Sequence, residues 1–170
     1  MPRIYGIDGY DPLNRIGYLL GRVRAELFAA LSARLALDEL LCSLELSVPQ
    51  VVIIMTLATE TITPGDLCER ISYDPGGMTR MLDRLHSKGL IRRRRCPKDR
   101  RRVYLALTAE AEARLPRMRE TSIRVLNQFL RGFTKAEALH LESYLTRLLA
   151  NAQSDGLAVR AQNRSQTAPS

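Results

Sequence analysis

A run of arginines near the middle of the chain holds the residues with the clearest chemical potential. Seven arginines fall between Arg92 and Arg102, and Asp99 is the single acidic residue among them. Guanidinium groups make forked hydrogen bonds with phosphates and with the edges of guanine bases. A run of charge can equally be solvated surface or a targeting signal, so its surroundings must decide its role.

The net charge of the chain is concentrated in this region. The formal charge is +8 over 170 residues, and the segment 88–102 contains nine basic residues and one acidic residue. The rest of the chain is balanced. A focused basic patch indicates a polyanionic partner, either nucleic acid or an anionic membrane surface.

Other residue types exclude several classes of function. The cysteines, Cys42, Cys68 and Cys96, are odd in number and lack C-x-x-C spacing, and the chain has only two histidines. This pattern argues against a disulfide framework and against a structural metal site. No Ser/His/Asp or Cys/His set stands at catalytic spacing, and the glycine pair at 76–77 lacks the frame of a phosphate-binding loop. We therefore expect neither an enzyme nor a bound cofactor.

The hydropathy of the chain bears on its location. No apolar run approaches the ~18 residues that a membrane-spanning helix needs. The N-terminal stretch "MPRIYGIDGYDPLNR" lacks the basic-then-apolar layout of a secretory signal. We expect a cytoplasmic protein with no membrane partner.

Helix starts are marked by capping residues and by proline in the first turn. A cap followed by proline occurs at 11–12, 63–64 and 74–75, and capping-box patterns occur at 47–50 and 134–137. These signals predict a mostly helical chain with short connections.

The central segment carries a compact set of short elements. Its patterning predicts helices at 48–59, 64–71 and 75–88, and strands at 90–95 and 103–107, with a hairpin loop at 96–100. Gly89 is expected to end the third helix in the left-handed conformation. Two short helices followed by a hairpin make a winged helix-turn-helix. The predicted fold class is mainly α with a small β wing, flanked by N- and C-terminal dimerisation helices.

Helices at both ends of the chain carry heptad-like apolar seams. Such seams can pack within one chain or pair between subunits, and we expect a homodimer built from both ends. The predicted organisation is a dimerisation region at 1–36 and 109–153, a winged helix-turn-helix DNA-binding domain at 37–108, and a disordered tail at 154–170. The seam residues are Leu13, Ile16, Leu20, Val23, Leu27 and Ala30, then Leu115, Met118, Ser122, Val125 and Phe129, and then Leu141, Leu145, Leu148 and Ala152.

The helix at 75–88 is the candidate reading element, because the second helix of such a unit can enter the major groove. Met78, Met81, Leu82 and Leu85 are expected on its buried face. Arg80 can fork onto guanine or hold a phosphate, and the glycines allow the backbone to approach DNA closely. The alternative is an ordinary solvated face with ion pairs to Asp83 or Glu69. The candidate contacts on this helix are Gly76, Gly77, Thr79, Arg80 and Arg84.

The hairpin tip is the second candidate contact. Pro97 and Asp99 are expected to shape the loop, and an arginine at such a tip suits the narrow, electronegative minor groove of A/T-rich DNA. The candidate contacts at the tip are Lys98, Asp99, Arg100, Arg101 and Arg102.

Two stretches resemble a known family. "DRRRVYLALT" fits D-x-R-x-x-x-L-x-L-T through Asp99, Arg101, Leu105, Leu107 and Thr108, which is similar to the wing signature of the MarR (multiple antibiotic resistance regulator) family. Upstream, "MTRMLDRLHSKGLIRRRRCPKDRR" resembles that family's recognition helix and first wing strand. The resemblance extends over residues 47–115 by motif and over residues 11–152 by helix order.

The resemblance implies a bacterial homodimeric transcription regulator. Two winged lobes would bind a pseudopalindrome in double-stranded DNA, and many such proteins are repressors released by small phenolic or anionic ligands. By this match Thr79, Arg80 and Arg84 would lie in the major groove, and Arg101 in the minor groove with Asp99 bracing it. The pair Gly76-Gly77 departs from the family, since polar side chains often stand there.

Regulation is less marked in the sequence. The resemblance implies a ligand crevice between the first helix and the winged lobe, where Arg15, Tyr18, Arg22 and Tyr73 are candidates for an anionic aromatic effector. Surface or dimer ion pairs are the alternative for these residues.

Two other functions stay open. One is a redox switch at Cys96, beside arginines that favour its thiolate. The other is nonspecific binding of RNA or membrane through bulk charge.

Overall fold

The computed structural model describes residues 4–6, 11–71, 73–95, 99 and 102–166, with side chains described as far as 154. Within them, the mainly α fold with a small β wing is confirmed, and the predicted bounds of the central elements hold to within two residues. None of the helices described is long and apolar enough to cross a membrane. The elements are α1 (Ile16–Leu37), α2 (Val48–Leu57), α3 (Pro64–Arg70), α4 (Pro75–Ser87), β1 (Ile91–Arg95), β2 (Val103–Leu107), α5 (Ala109–Phe129) and α6 (Lys135–Gln166).

The first helix starts later than predicted. Asp11 does act as a cap, because its Oδ1 accepts a hydrogen bond from the backbone N–H of Leu13 (2.9 Å). That cap opens only a 3-10 turn over Pro12–Asn14. Arg15 is extended, with φ −108° and ψ 161°, and therefore separates this turn from α1.

The core lies beneath α2, α3, α4 and the hairpin. Side chains from each of these elements are fully buried, among them Ile53, Leu67, Leu82 and Leu105. Gly89 ends the turn after α4 with φ 69°, in the left-handed region that was predicted. The inward face of α4 is as expected, with Met78, Met81, Leu82 and Leu85 all buried. This packing fixes which face of α4 remains in solvent.

The apolar seams on α1 and α5 have different environments. On α5, Met118 and Val125 are buried within the chain, so the centre of this seam packs inside the molecule. On α1 the seam is exposed from its start, and apolar side chains such as Leu20 and Val23 remain 42% and 54% exposed. Exposed apolar side chains in such a row indicate a missing partner surface.

The residues from Leu130 onward form a separate compact unit. Its helix α6 begins with the predicted capping box, since Thr134 N–H donates to Glu137 Oε2 (2.7 Å) and Glu137 N–H donates to Thr134 Oγ1 (3.2 Å). The sequence predicted disorder from Ser154, whereas α6 continues to Gln166. Alanine, glutamine and arginine recur in that stretch, and no proline interrupts it, so helix propensity outweighs its polar character.

Candidate nucleic-acid interface

The start of α4 is held by a cap that depends on a glycine. Asp74 Oδ1 accepts a hydrogen bond from Gly77 N–H (2.7 Å), and Pro75 occupies the first helical position. Gly77 was expected on the exposed face, but it is buried. A Cβ at Gly77 would stand 2.4 Å from Asp74 Oδ2 and 2.8 Å from Tyr73 Cε1. A side chain at this position would therefore displace the capping carboxylate of Asp74 and the ring of Tyr73.

The solvent face of α4 presents Gly76, Thr79, Arg80 and Arg84, all of them exposed. Thr79 Oγ1 donates to the carbonyl of Pro75 (2.9 Å), which fixes the rotamer of this side chain. A Cβ at Gly76 would lie 3.7 Å from Arg80 Nη1, so the guanidinium of Arg80 extends over this glycine. Arg80 lies one turn further along α4, and its guanidinium would meet a Cβ at Gly76 only at ordinary contact distance.

The ion pairs considered as the alternative for this face are not those observed. Asp83 pairs with Arg93 of β1, with Oδ1 2.7 Å from Nη2. Within the described part of the chain, neither Arg80 nor Arg84 has an ion pair. Their cationic groups are therefore available to an external anion.

The wing is a two-stranded antiparallel hairpin whose register sorts its arginines onto two faces. Ile91 pairs with Leu107 and Arg93 with Leu105, so Arg93 shares the inward face with buried apolar side chains. Arg92 pairs with Ala106 on the other face. His86 Nδ1 lies 3.1 Å from the carbonyl oxygen of Ile91, which ties the base of β1 to the end of α4.

Only part of the hairpin tip lies within the described residues. The backbone carbonyl of Asp99 accepts a hydrogen bond from Arg102 N–H (3.0 Å), and both residues are exposed. The remaining predicted tip contacts, Lys98, Arg100 and Arg101, lie outside the described residues, as do Cys96 and Pro97.

The candidate effector residues lie in two parts of the structure. On α1, Arg22 Nη1 donates to Tyr18 Oη (3.5 Å) and Nη2 pairs with Glu26 (3.2 Å), so local contacts occupy this cation. The Arg15 guanidinium lies 5.3 Å from the centre of the Tyr5 ring. Tyr73 lies in the turn before α4.

A cavity that the sequence did not indicate opens beside the wing. It has a volume of about 390 Å³ and lies between the end of α2, the hairpin and the start of α5. Its lining combines the cations Arg92 and Arg94 with Glu112 and apolar side chains such as Leu57 and Leu115. The cavity thus combines two cations and one carboxylate with apolar surface, and its lining includes none of the four predicted effector residues.

A buried carboxylate is the other feature that sequence reasoning missed. Asp38, the residue that ends α1, accepts hydrogen bonds from Leu40 N–H (3.1 Å), Arg117 Nε (2.7 Å) and Thr121 Oγ1 (3.3 Å). The partners on α5 lie 79 and 83 residues away along the chain, which no local pattern could indicate. No cluster of histidine, cysteine, aspartate or glutamate suited to a metal ion is found among the residues described.

Comparison with known proteins gives consistent matches. The MarR family model matches residues 46–103. The multiple antibiotic resistance protein MarR of Salmonella typhimurium is 31% identical over 140 residues, which cover 81% of this chain and 91% of that protein. The protein of the same name from Escherichia coli K12 is 30% identical over an equal length. A crystal structure of a mutant Escherichia coli MarR complexed with operator DNA has a TM-score of 0.68 at 28% identity, covering 82% of this chain and 99% of that one.

Proposed function

The chain belongs to the MarR family, and from this we propose that it is a transcription regulator that binds double-stranded DNA through α4 and the wing. The observation that carries the proposal is the exposed face of α4, where Arg80 and Arg84 lie without described ion pairs beside a hairpin rich in arginine. The related Escherichia coli protein was crystallised with operator DNA, which supports the same kind of partner.

The proposed contacts follow from the exposure of each residue. Thr79, Arg80 and Arg84 would lie in the major groove, where an arginine can bind both acceptors of a guanine edge. Gly76 would bring the backbone of α4 near the sugar–phosphate chain. The residues of the tip, with Arg101 foremost, would enter the minor groove. Gly77 is withdrawn from the proposed contact set, because it is buried under the cap.

Arg80→Ala is expected to weaken binding to the cognate operator by about 1–3 kcal/mol while leaving binding to random duplex nearly unchanged. The reason is that a forked contact to a base carries sequence information, whereas a phosphate contact does not. The measurement is a fluorescence-anisotropy titration at one fixed salt concentration, with an operator mapped by footprinting of the DNA flanking the gene. Arg119→Ala on α5 is the matched control, because it removes an equal charge elsewhere. Equal losses on both duplexes would show that Arg80 acts as bulk charge.

We also propose that the protein is a homodimer. The support is the exposed apolar row on α1, where Ile16, Leu20 and Val23 are 42–54% exposed. Leu13, which was predicted to open this seam, lies in the preceding 3-10 turn and is 59% exposed. A contiguous apolar surface of this kind is typical of a subunit interface. Two lobes related by a two-fold axis would match a pseudopalindromic operator.

Leu20→Glu combined with Val23→Glu is expected to convert the dimer into monomers at micromolar concentration, because two carboxylates would have to be buried in an apolar contact. Sedimentation velocity measures the change directly. The matched control is Leu37→Glu combined with Leu40→Glu, which alters two other exposed leucines of this region. A double variant on the α1 row that remains dimeric would place the interface elsewhere.

The mode of regulation is the finer part of the proposal. We propose repression relieved by a small aromatic or anionic ligand. The support is the resemblance to the family, together with a cavity in which Arg92 and Arg94 stand with Glu112 beside apolar side chains. The redox alternative is not favoured by the family membership, and the Cys68 thiol donates to the Tyr73 carbonyl. Cys96, the predicted switch, lies outside the described residues.

A further inference from the structure

Asp83 is an acidic residue on the face of α4 that would meet DNA. It is the sole acid of this helix and follows Arg80 by three residues and Thr79 by four, so all three side chains share one face. Its side chain is 58% exposed. A carboxylate in this place opposes the phosphates of a duplex, and on charge alone its removal should strengthen DNA binding.

The partner of Asp83 comes from the wing. Arg93 lies ten residues further along the chain, in the middle of β1, and its guanidinium reaches back to α4. The base of the hairpin is already fixed by the buried Ile91 and by its contact with His86. Within the described residues, the Asp83–Arg93 pair is the polar contact between α4 and the wing that lies nearest the tip.

We propose that the Asp83–Arg93 pair is a brace that sets the direction of the wing relative to α4, so that Asp83 raises the affinity for DNA despite its negative charge. The proposal rests on the proposed DNA-binding function. In it, Arg93 is a positioning residue and not a phosphate contact. Arg93 stands at the middle pair of the hairpin, where its partner Leu105 is buried and donates its N–H to the carbonyl of Ile62 (3.0 Å). The Asp83–Arg93 pair adds a tie to α4 at this pair, so that both strands are held where the tip begins to extend beyond the core.

The sign of the effect at Asp83 separates this proposal from simple electrostatics. Asp83→Asn and Arg93→Ala are each expected to weaken operator binding by about three- to fivefold, the range that an exposed ion pair can supply. The double variant should bind no more weakly than either single variant, because both changes remove the same contact. Asp83→Glu should restore binding to within about twofold, since a glutamate can still pair with Arg93.

The control for this double-mutant comparison of Asp83 and Arg93 is Arg95→Ala, which removes an equal charge from the same strand. Its effect should add to that of Asp83→Asn, because the structure describes no pair between Asp83 and Arg95. Affinities are measured by anisotropy with the full chain at fixed salt, and circular dichroism establishes that each variant is folded.

Three outcomes decide the matter. Tighter operator binding by Asp83→Asn would overturn the brace and show that the carboxylate repels DNA. Additive losses in the double variant would also overturn it and make Arg93 a charge acting alone. If the wild-type chain does not prefer its operator to random duplex, the proposed function itself fails, and this result is distinguishable because it precedes any comparison of variants.

Discussion

Asp38→Ala is expected to lower the free energy of unfolding by about 2–3 kcal/mol at neutral pH. The carboxylate is only 5% exposed and accepts three hydrogen bonds, one of them from a guanidinium. Removal of one partner of a fully buried ion pair costs about 3–5 kcal/mol. The expected loss is smaller here because Arg117 is 37% exposed and keeps its contact with Glu120.

The loss is expected to depend on pH. Burial raises the pKa of Asp38, but hydrogen bonds from Leu40 N–H, Arg117 and Thr121, with the charge of Arg117, outweigh burial and lower the pKa below its usual value. A lowered pKa means that the contribution to stability is complete at neutral pH. It declines as the pH falls below about 4, where the unfolded chain takes up the proton more readily.

Urea unfolding at one fixed protein concentration measures both effects. The stability difference between wild type and Asp38→Ala should be full at pH 7 and should shrink towards pH 3. Glu39→Ala is the control, because it removes an exposed carboxylate from the adjacent position. A difference that stays constant over this pH range would mean that packing, and not the charged hydrogen bonds, accounts for the loss.

Asp38 also illustrates which features the sequence could not provide. The caps at Ser47, Thr63, Asp74 and Thr134 act within three residues, so local patterns predicted the starts of α2, α3, α4 and α6. The inward face of α4 could also be predicted, because its apolar residues recur at helical spacing, which is a local pattern. The pairing of Asp38 with α5 is set by tertiary packing of α1 on α5, and no period or motif encodes it.

In the candidate interface too, local pattern predicts some features and tertiary packing determines the others. The exposure of Thr79, Arg80 and Arg84 could be predicted, because it is the complement of the buried apolar positions of α4. The pairing of Arg93 with Asp83 could not, since it depends on how far the hairpin folds back on the helix. The burial of Gly77 was also missed, because it depends on the rotamer of Asp74.

Gly77→Ala is expected to destabilise the protein by about 1–3 kcal/mol, although alanine is the better helix former by about 1 kcal/mol. The added Cβ would stand 2.4 Å from Asp74 Oδ2, so the carboxylate must rotate away from the N–H of Gly77 that it caps. Loss of an N-cap alone costs about 1 kcal/mol. The ring of Tyr73, 2.8 Å from the same Cβ, must also move.

Gly76→Ala is the matched control, and it is expected to change the free energy of unfolding in the opposite direction. Its Cβ would lie 3.4 Å from Asp74 Oδ1 and 3.7 Å from Arg80 Nη1, at the edge of ordinary contact. Stability should therefore rise by about 0.5–1 kcal/mol, as helix propensity predicts. Urea unfolding of the two variants under identical conditions makes the comparison. If Gly77→Ala is also stabilising, Asp74 is free to move and the cap does not fix the first turn of α4. If only Gly76→Ala is stabilising, the neighbouring glycines differ: the cap closes around Gly77, whereas a Cβ at Gly76 fits beneath Arg80 on the face proposed to read DNA.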